Sequence, residues 1–465
     1  MSESGGDGRA RMGDRLIFQL GTNNWQRGGE FAPGSGILHE AHHHAYNALP
    51  GLRCYSMYPS RRQRFREEQV RVFALDHDIP ICESISPVSN YRWHSMSDDE
   101  VDAYRKRLTD EVAEWIDEIE DATGDRFVLA IAHHGFMNTV VMRDVIRRRA
   151  AAGRGTMPLL CFAHGTELKM YANEKRADNP AEFPLRFLPF MQGEKIFDYA
   201  DPEHGVDVVA SISAEQIAAL TAVFPEFPRE RAVLSHNGYN QQVFRVLPDV
   251  YANRAEVLAG FSTAPPEGHG EPEPVAPRDG FDAVVAFCGK FADWKRLDAL
   301  LRAAAIYEQH EKKILTLVIG SGPHEAQVAM HDLVAELGLR RTYIVGPRPQ
   351  DELTTLFNCA DVGCFPSYRE PFGLVFIECM ACGTPVIGAD SGGPRDFVTP
   401  EVGTLVPETD DRRELARSLA AAVTTAVDED WKKTKGPVAQ AYVKENFSVT
   451  KQVADLLAAV DRLTS

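Results

Sequence analysis

The sequence predicts an α/β chain built of doubly wound parallel sheets and divided into two domains. Short apolar runs of strand length recur at 16–20, 127–132, 158–163, 206–211, 232–235, 283–288, 314–319, 343–346 and 361–365. Most stop at glycine, histidine or another polar residue and give way to helical periodicity, which is the pattern of βα units. Residues 263–280 are rich in proline, glycine and glutamate and nearly devoid of apolar side chains, so they read as an exposed linker or insertion. The expected domains are 15–245 and 281–447, with 246–280 between them and a polar, disordered extension over 1–14.

In the first domain, the run at 16–20 leads through Gly21-Thr22-Asn23-Asn24-Trp25 and Pro33-Gly34-Ser35-Gly36 into a helix starting near Ile37. Such a loop suits a phosphate or sugar at the helix N-terminus, with Gly34 and Gly36 competing with Gly28 and Gly29 for the contact. His39, His42, His43 and His44 follow at spacings that can hold a metal. No acidic or thiol partner stands out, so they read as surface and acceptor-side histidines. Ser97-Asp98-Asp99-Glu100 is a capping box opening a helix with Val101, Tyr104, Leu108, Val112, Trp115 and Ile119 on one face. Two later runs end in His133-His134-Gly135 and His164-Gly165-Thr166-Glu167. Doubly wound domains present their sites at strand C-termini, which makes Asn24, Trp25, His133, His134 and Glu167 candidates for contacts to an acceptor.

The second domain concentrates the charges that bind. The run at 283–288 ends in Gly289-Lys290-Phe291-Ala292-Asp293-Trp294-Lys295. Its two lysines straddle a strand-to-helix loop and can converge on one diphosphate. Gly320-Ser321-Gly322 begins like a dinucleotide-binding loop, yet Pro323 intrudes and Glu325 stands where a third glycine is wanted. After the run at 361–365, Phe372, Val375, Phe376, Cys379 and Met380 recur at helical spacing. Glu370 therefore falls in the loop before that helix and Glu378 about two turns into it. Free N–H groups near Phe372, Gly373 and Leu374 favour an anion, and Gly373 lets a ligand approach the main chain. Donors for a phosphate beside acceptors for hydroxyls describe a nucleotide-sugar site.

The sequence around those acids resembles glycosyltransferase family 4. Pro371-Phe372-Gly373-Leu374 follows Glu370, and Met380-Ala381-Cys382-Gly383-Thr384-Pro385-Val386-Ile387 follows Glu378. The resemblance, most specific over 281–407, implies a GT-B fold: two Rossmann-like domains facing a central cleft, with a helix over 448–465 returning to the first. It implies a retaining enzyme that moves a sugar from a UDP- or GDP-sugar to an acceptor. The first domain departs from lipid-facing members in having no strong basic–aromatic amphipathic helix, which points instead to a small soluble acceptor, in the setting of specialised metabolite biosynthesis. A GT-B nucleotide-sugar 2-epimerase and a non-catalytic sugar-nucleotide-binding protein are the rival readings. By the same resemblance Lys290, where the family has arginine, and Lys295 would neutralise the departing diphosphate. Glu370 would hold sugar hydroxyls, Glu378 the ribose, and His164 would match the family histidine near the donor sugar. Gly289, Gly320, Gly346, Pro347 and Arg348 would border the nucleotide. No metal or other cofactor is implied.

Composition limits the partners. With 465 residues, a net charge of −17 and 25% charged side chains, the chain repels nucleic acid and anionic membranes. No apolar run is long enough to span a bilayer, and residues 1–15 lack the apolar core of a signal peptide. Eight scattered cysteines suggest reduced thiols and a cytoplasmic setting. Oligomeric state leaves no signature in the sequence.

Overall fold

The apolar runs pair into two all-parallel sheets. They are seen in a computed structural model that describes residues 14–25, 34–64, 66–76, 96–165, 167–168, 171–172, 186–198 and 205–464. The expected N-terminal extension through residue 13, together with Gly28 and Gly29, lies outside the described residues. The first sheet contains β1 (Arg15–Leu20), β2 (Leu52–Ser60), β3 (Val70–Ala74), β4 (Phe127–His133), β5 (Leu159–Ala163), β6 (Val208–Ser211) and β7 (Ala232–Leu234), in the order β3-β2-β1-β4-β5-β6-β7. The second contains β8 (Ala283–Cys288), β9 (Ile314–Ile319), β10 (Thr342–Gly346), β11 (Val362–Phe365), β12 (Val386–Ala389) and β13 (Gly403–Val406), in the order β10-β9-β8-β11-β12-β13.

Each order reverses once, between β1 and β4 in the first sheet and between β8 and β11 in the second. A crevice opens at such a reversal because neighbouring crossovers leave in opposite directions. The loops after β1 and β4 carry Gly21-Thr22 and His134, and those after β8 and β11 carry Lys290, Lys295 and Glu370.

The helix Asp98–Thr123 shows how local chemistry fixes an element. Ser97 Oγ accepts the Glu100 amide at 3.2 Å, and the Glu100 carboxylate accepts the Ser97 amide at 2.8 Å. The six apolar residues expected on one face are all buried. At the other end of the chain, the helix Val449–Thr464 buries Val453, Leu456, Leu457 and Val460 and packs on the helix Gly34–Asn47. Arg15 and Asp461 form an exposed ion pair there at 2.7 Å.

The stretch 246–280 differs from the linker expected. Much of it folds onto the second domain through the short helices Pro248–Ala252 and Arg254–Ala259. Tyr251 donates its hydroxyl to one Asp361 oxygen at 2.5 Å and Arg254 pairs with the other at 2.6 Å, while Leu258 and Val275 are fully buried. Isolated apolar anchors flanked by polar residues produce no periodic signal, and so the sequence conceals this packing.

Candidate nucleotide-sugar site

Lys295 ends a single 3-10 turn, Asp293–Lys295, just beyond β8. Its stem lies 3.6 Å from where a Cβ on Gly289 would stand, and its ammonium is 4.2 Å from the Trp294 ring centroid. The ammonium meets Glu370 Oε2 at 2.5 Å. Glu370 is held in turn through its backbone: its carbonyl accepts the Gly393 amide at 2.7 Å, and Ser391 Oγ accepts the Arg369 amide at 2.8 Å. The loop after β12 thus clamps the loop after β11 and fixes the backbone that carries the carboxylate.

Gly373 begins the helix Leu374–Ala381 at φ +100°, with no side-chain cap. A side-chain-bearing residue adopts that backbone only with strain, so glycine here leaves the helix start open for an anion. Glu378, half-buried on the same helix, has no hydrogen-bond or ion-pair partner among the described residues. Burial raises its pKa to about 7. Cys288, at the end of β8, is pushed up to about 12 by burial and, less strongly, by Glu378, while Lys295 pulls the other way. Glu378 and Lys295 thus both lie close enough to Cys288 to act on its charge, with opposite signs.

The remaining candidates lie on neighbouring loops. Lys290 is exposed on the loop after β8. Gly320 has φ +139°, and a Cβ there would fall 1.9 Å from the Gly289 carbonyl oxygen, so the two strand ends approach as only glycine permits. Its amide donates to the Gly346 carbonyl at 3.0 Å, and Pro347 beyond is exposed. Arg348 turns back into the protein, donating to the Val345 carbonyl at 2.7 Å and the Ser262 carbonyl at 3.1 Å.

The first domain supplies histidines. His164 follows β5 and is half-buried; its Nε2 lies 2.9 Å from His133 Nδ1, and the two rings stack. His133 and His134, expected as acceptor contacts, are buried behind it, His134 bonding Thr22 Oγ1 through Nδ1 at 2.9 Å. Trp25 is likewise no surface residue: it is fully buried, stacks on Tyr58, and donates its indole N–H to His39 Nδ1 at 2.8 Å. Asn24 is buried beside it, and Gly36 within the helix start that Gly34 opens. Glu167 is buried with Oε1 accepting the Gly135 amide at 3.0 Å and Oε2 unpartnered; burial raises its pKa. His39, His42 and His43 are buried too, contrary to the surface role expected, and only His44 of that group is exposed. Among the described residues no three acids, histidines or cysteines are grouped to hold a metal, and no helix is long and apolar enough to cross a membrane.

The two domains touch at these loops. A Cβ on Gly165, next to His164, would stand 3.5 Å from Pro371 Cβ, next to Glu370. Asp396 Oδ2 accepts the Ala214 amide across the cleft at 2.9 Å and lies 3.5 Å from His236 Nε2, a latch the sequence reading missed because neither partner belongs to a motif.

Comparison with known proteins bears on the family and the fold. Residues 274–435 match the family described as Glycosyl transferases group 1. A D-inositol 3-phosphate glycosyltransferase of Mycobacterium leprae is 36% identical over 334 residues, 66% of this chain and 69% of that protein. The chain belongs to the group 1 glycosyl transferases. Two similarly named family members match over less of their length: that of Salinispora tropica, 36% identical over 182 residues, is spanned over 37% of each chain. That of Thermobispora bispora, 31% identical over 266 residues, covers 52% of this chain and is itself spanned over 58%. Among solved structures, sucrose-phosphate synthase from Thermosynechococcus elongatus superposes with a TM-score of 0.63 at 20% identity, covering 97% of this chain and 99% of that one. Anabaena HepE in complex with UDP and glucose gives 0.62 at 16% identity, over 96% and 100%. At such identities the likeness establishes the fold, the two Rossmann-like domains of GT-B proteins.

Proposed function

We propose that the protein transfers a sugar from a nucleoside diphosphate, UDP or GDP, to a hydroxyl of a small acceptor with retention of anomeric configuration. The observation that supports the reading is the Lys295–Glu370 ion pair at the reversal of the second sheet, beside an uncapped helix start whose helix carries the unpartnered, half-buried Glu378 carboxylate. Lys295, with Lys290 and the amides of Gly373 and Leu374, stabilises charge on the departing diphosphate. Glu370 accepts from sugar hydroxyls and Glu378 from the ribose. His164, beside the Gly165–Pro371 contact, faces the sugar from the other domain. Closing the cleft excludes water that would otherwise hydrolyse the donor.

Thermal unfolding in the presence of UDP, GDP and ADP tests this reading, because a ligand present at 100 times its Kd stabilises the native state by about 2.7 kcal/mol. One of the first two is expected to raise the melting temperature; no response to any of the three would end the reading. The pH dependence is specific. A ribose hydroxyl donates to the carboxylate form of Glu378, which is half protonated near pH 7. Nucleotide affinity should therefore fall as pH drops below 7, by about tenfold per unit once the acid form dominates. Isothermal titration from pH 8 to 5 is expected to show that decline, and Glu378→Gln to flatten it with weaker binding at pH 8.

A further inference from the structure

Behind His164 lies a chain of hydrogen bonds whose proton positions are dictated by chemistry. The carbonyl of His39 can only accept, so the end of the fully buried Gln19 side chain 3.2 Å from it is the amide nitrogen, which also reaches Ser56 Oγ at 2.8 Å. Gln19 Oε1 consequently faces His133 Nε2 at 3.3 Å, and that nitrogen must carry the proton. His133 Nδ1 is then bare, and its 2.9 Å contact with His164 Nε2 is donated by His164. Burial, reinforced by the neighbouring histidines, holds His133 and His164 well below the usual imidazole pKa, so both rings stay neutral and each carries one proton. His164 Nδ1 is left as a bare acceptor with no partner among the described residues, in the loop that touches Pro371.

We propose that Gln19 and His133 are positioning residues: they lock His164 in the Nε2–H tautomer, so that its Nδ1 accepts a hydrogen bond from a sugar hydroxyl in the cleft. The proposal deepens the transferase reading and rests on it for the identity of the hydroxyl. The tautomer itself does not depend on any substrate. In the opposite tautomer Nδ1–H would confront that hydroxyl with a donor, and the ring contact to His133 would set bare nitrogens or protons against each other. The hydroxyl belongs either to the donor sugar or to the incoming acceptor, and the same chemistry serves both.

The test is the imidazole ¹⁵N spectrum of the full-length protein labelled at histidine, with His164 and His133 assigned by His164→Asn and His133→Asn. Both rings are expected neutral with the proton on Nε2; a proton on Nδ1 of His164 overturns the proposal, whatever the nucleotide experiments show. Gln19→Met keeps the length of the side chain and removes the acceptor. It is expected to let both rings populate the second tautomer and to lower kcat/KM by about tenfold to a hundredfold, the size of one misdirected polar contact, while UDP or GDP still stabilises the fold. A rise in KM confined to the sugar nucleotide assigns the hydroxyl to the donor, and one confined to the acceptor assigns it there. Lost turnover with both tautomers unchanged would make Gln19 merely structural and the relay wrong. If this variant does not fold, the wild-type spectrum decides alone.

Discussion

Lowering the pH from 6.5 toward 4 is expected to unfold the protein cooperatively, with uptake of several protons. His39, His42, His133, His134 and His164 all have lowered pKa values, burial being the largest cause in each; His42 and His134 reach about 4. An unfolded chain protonates these rings near 6.5, whereas the native state refuses the protons until well below. Between those values the unfolded state binds more protons, so stability is full above 6.5 and is lost as pH falls. Protonating an imidazole held at about 4 costs the fold about 3 kcal/mol, and two or three such rings reach the whole stability of an ordinary domain, about 5–15 kcal/mol. Glu111, Glu167 and Glu378 work in the opposite direction, since raised carboxyl pKa values make the native state the better proton binder below pH 7. These acids do not offset the fully buried histidines. Far-ultraviolet circular dichroism against pH measures the midpoint, and potentiometry across the transition measures the protons taken up. A protein still folded at pH 4 would show that the histidines are not shielded as the structure has them. Replacing His42 by glutamine, which keeps a donor for Gln452, is expected to move the midpoint to lower pH.

The contrast between the two halves explains what the sequence reveals. Lys295 lies in the loop after β8, and Glu370 and Glu378 in the loop and helix after β11; although 75 residues separate the two segments, local periodicity within each βα unit places them at strand C-termini. The histidine cluster is assembled from afar: His42 bonds Gln452, 410 residues away, and His133 bonds Gln19, 114 residues away. A signal existed nonetheless. His39, His42, His43 and Tyr46 recur at three- and four-residue spacing, the stripe by which a helix buries a face, and histidine was read as polar where it packs as an aromatic. β2 escaped for a similar reason, because Ser56 and Tyr58 look like surface positions until Gln19 and Trp25 are seen against them. Gln19 itself is a polar residue inside an apolar strand, and such a residue asks for a partner that only the fold supplies.

Lys295→Ala is expected to lower kcat by about two to three decades, since a preorganised group facing charge that develops in the transition state is commonly worth about 3–4 kcal/mol. The structure complicates the measurement in an instructive way. Lys295 is also the partner of Glu370, whose side chain is only 10% exposed, so the substitution strands a carboxylate and should lower stability too. The double variant Lys295→Ala, Glu370→Gln separates the two effects. It removes the stranded charge and is expected to recover most of the melting temperature lost in the single variant, while turnover stays low because no ammonium remains to meet the diphosphate. Lys295→Arg keeps a cation and is expected to retain part of the activity, limited by a wider head group in a recess built against Gly289 and Trp294. On the proposed reading, a bound diphosphate would draw the ammonium from Glu370 and free that carboxylate for sugar hydroxyls. Near-normal kcat in Lys295→Ala, with the protein folded, would remove the leaving-group role from Lys295 and with it the electrostatic core of the transfer mechanism.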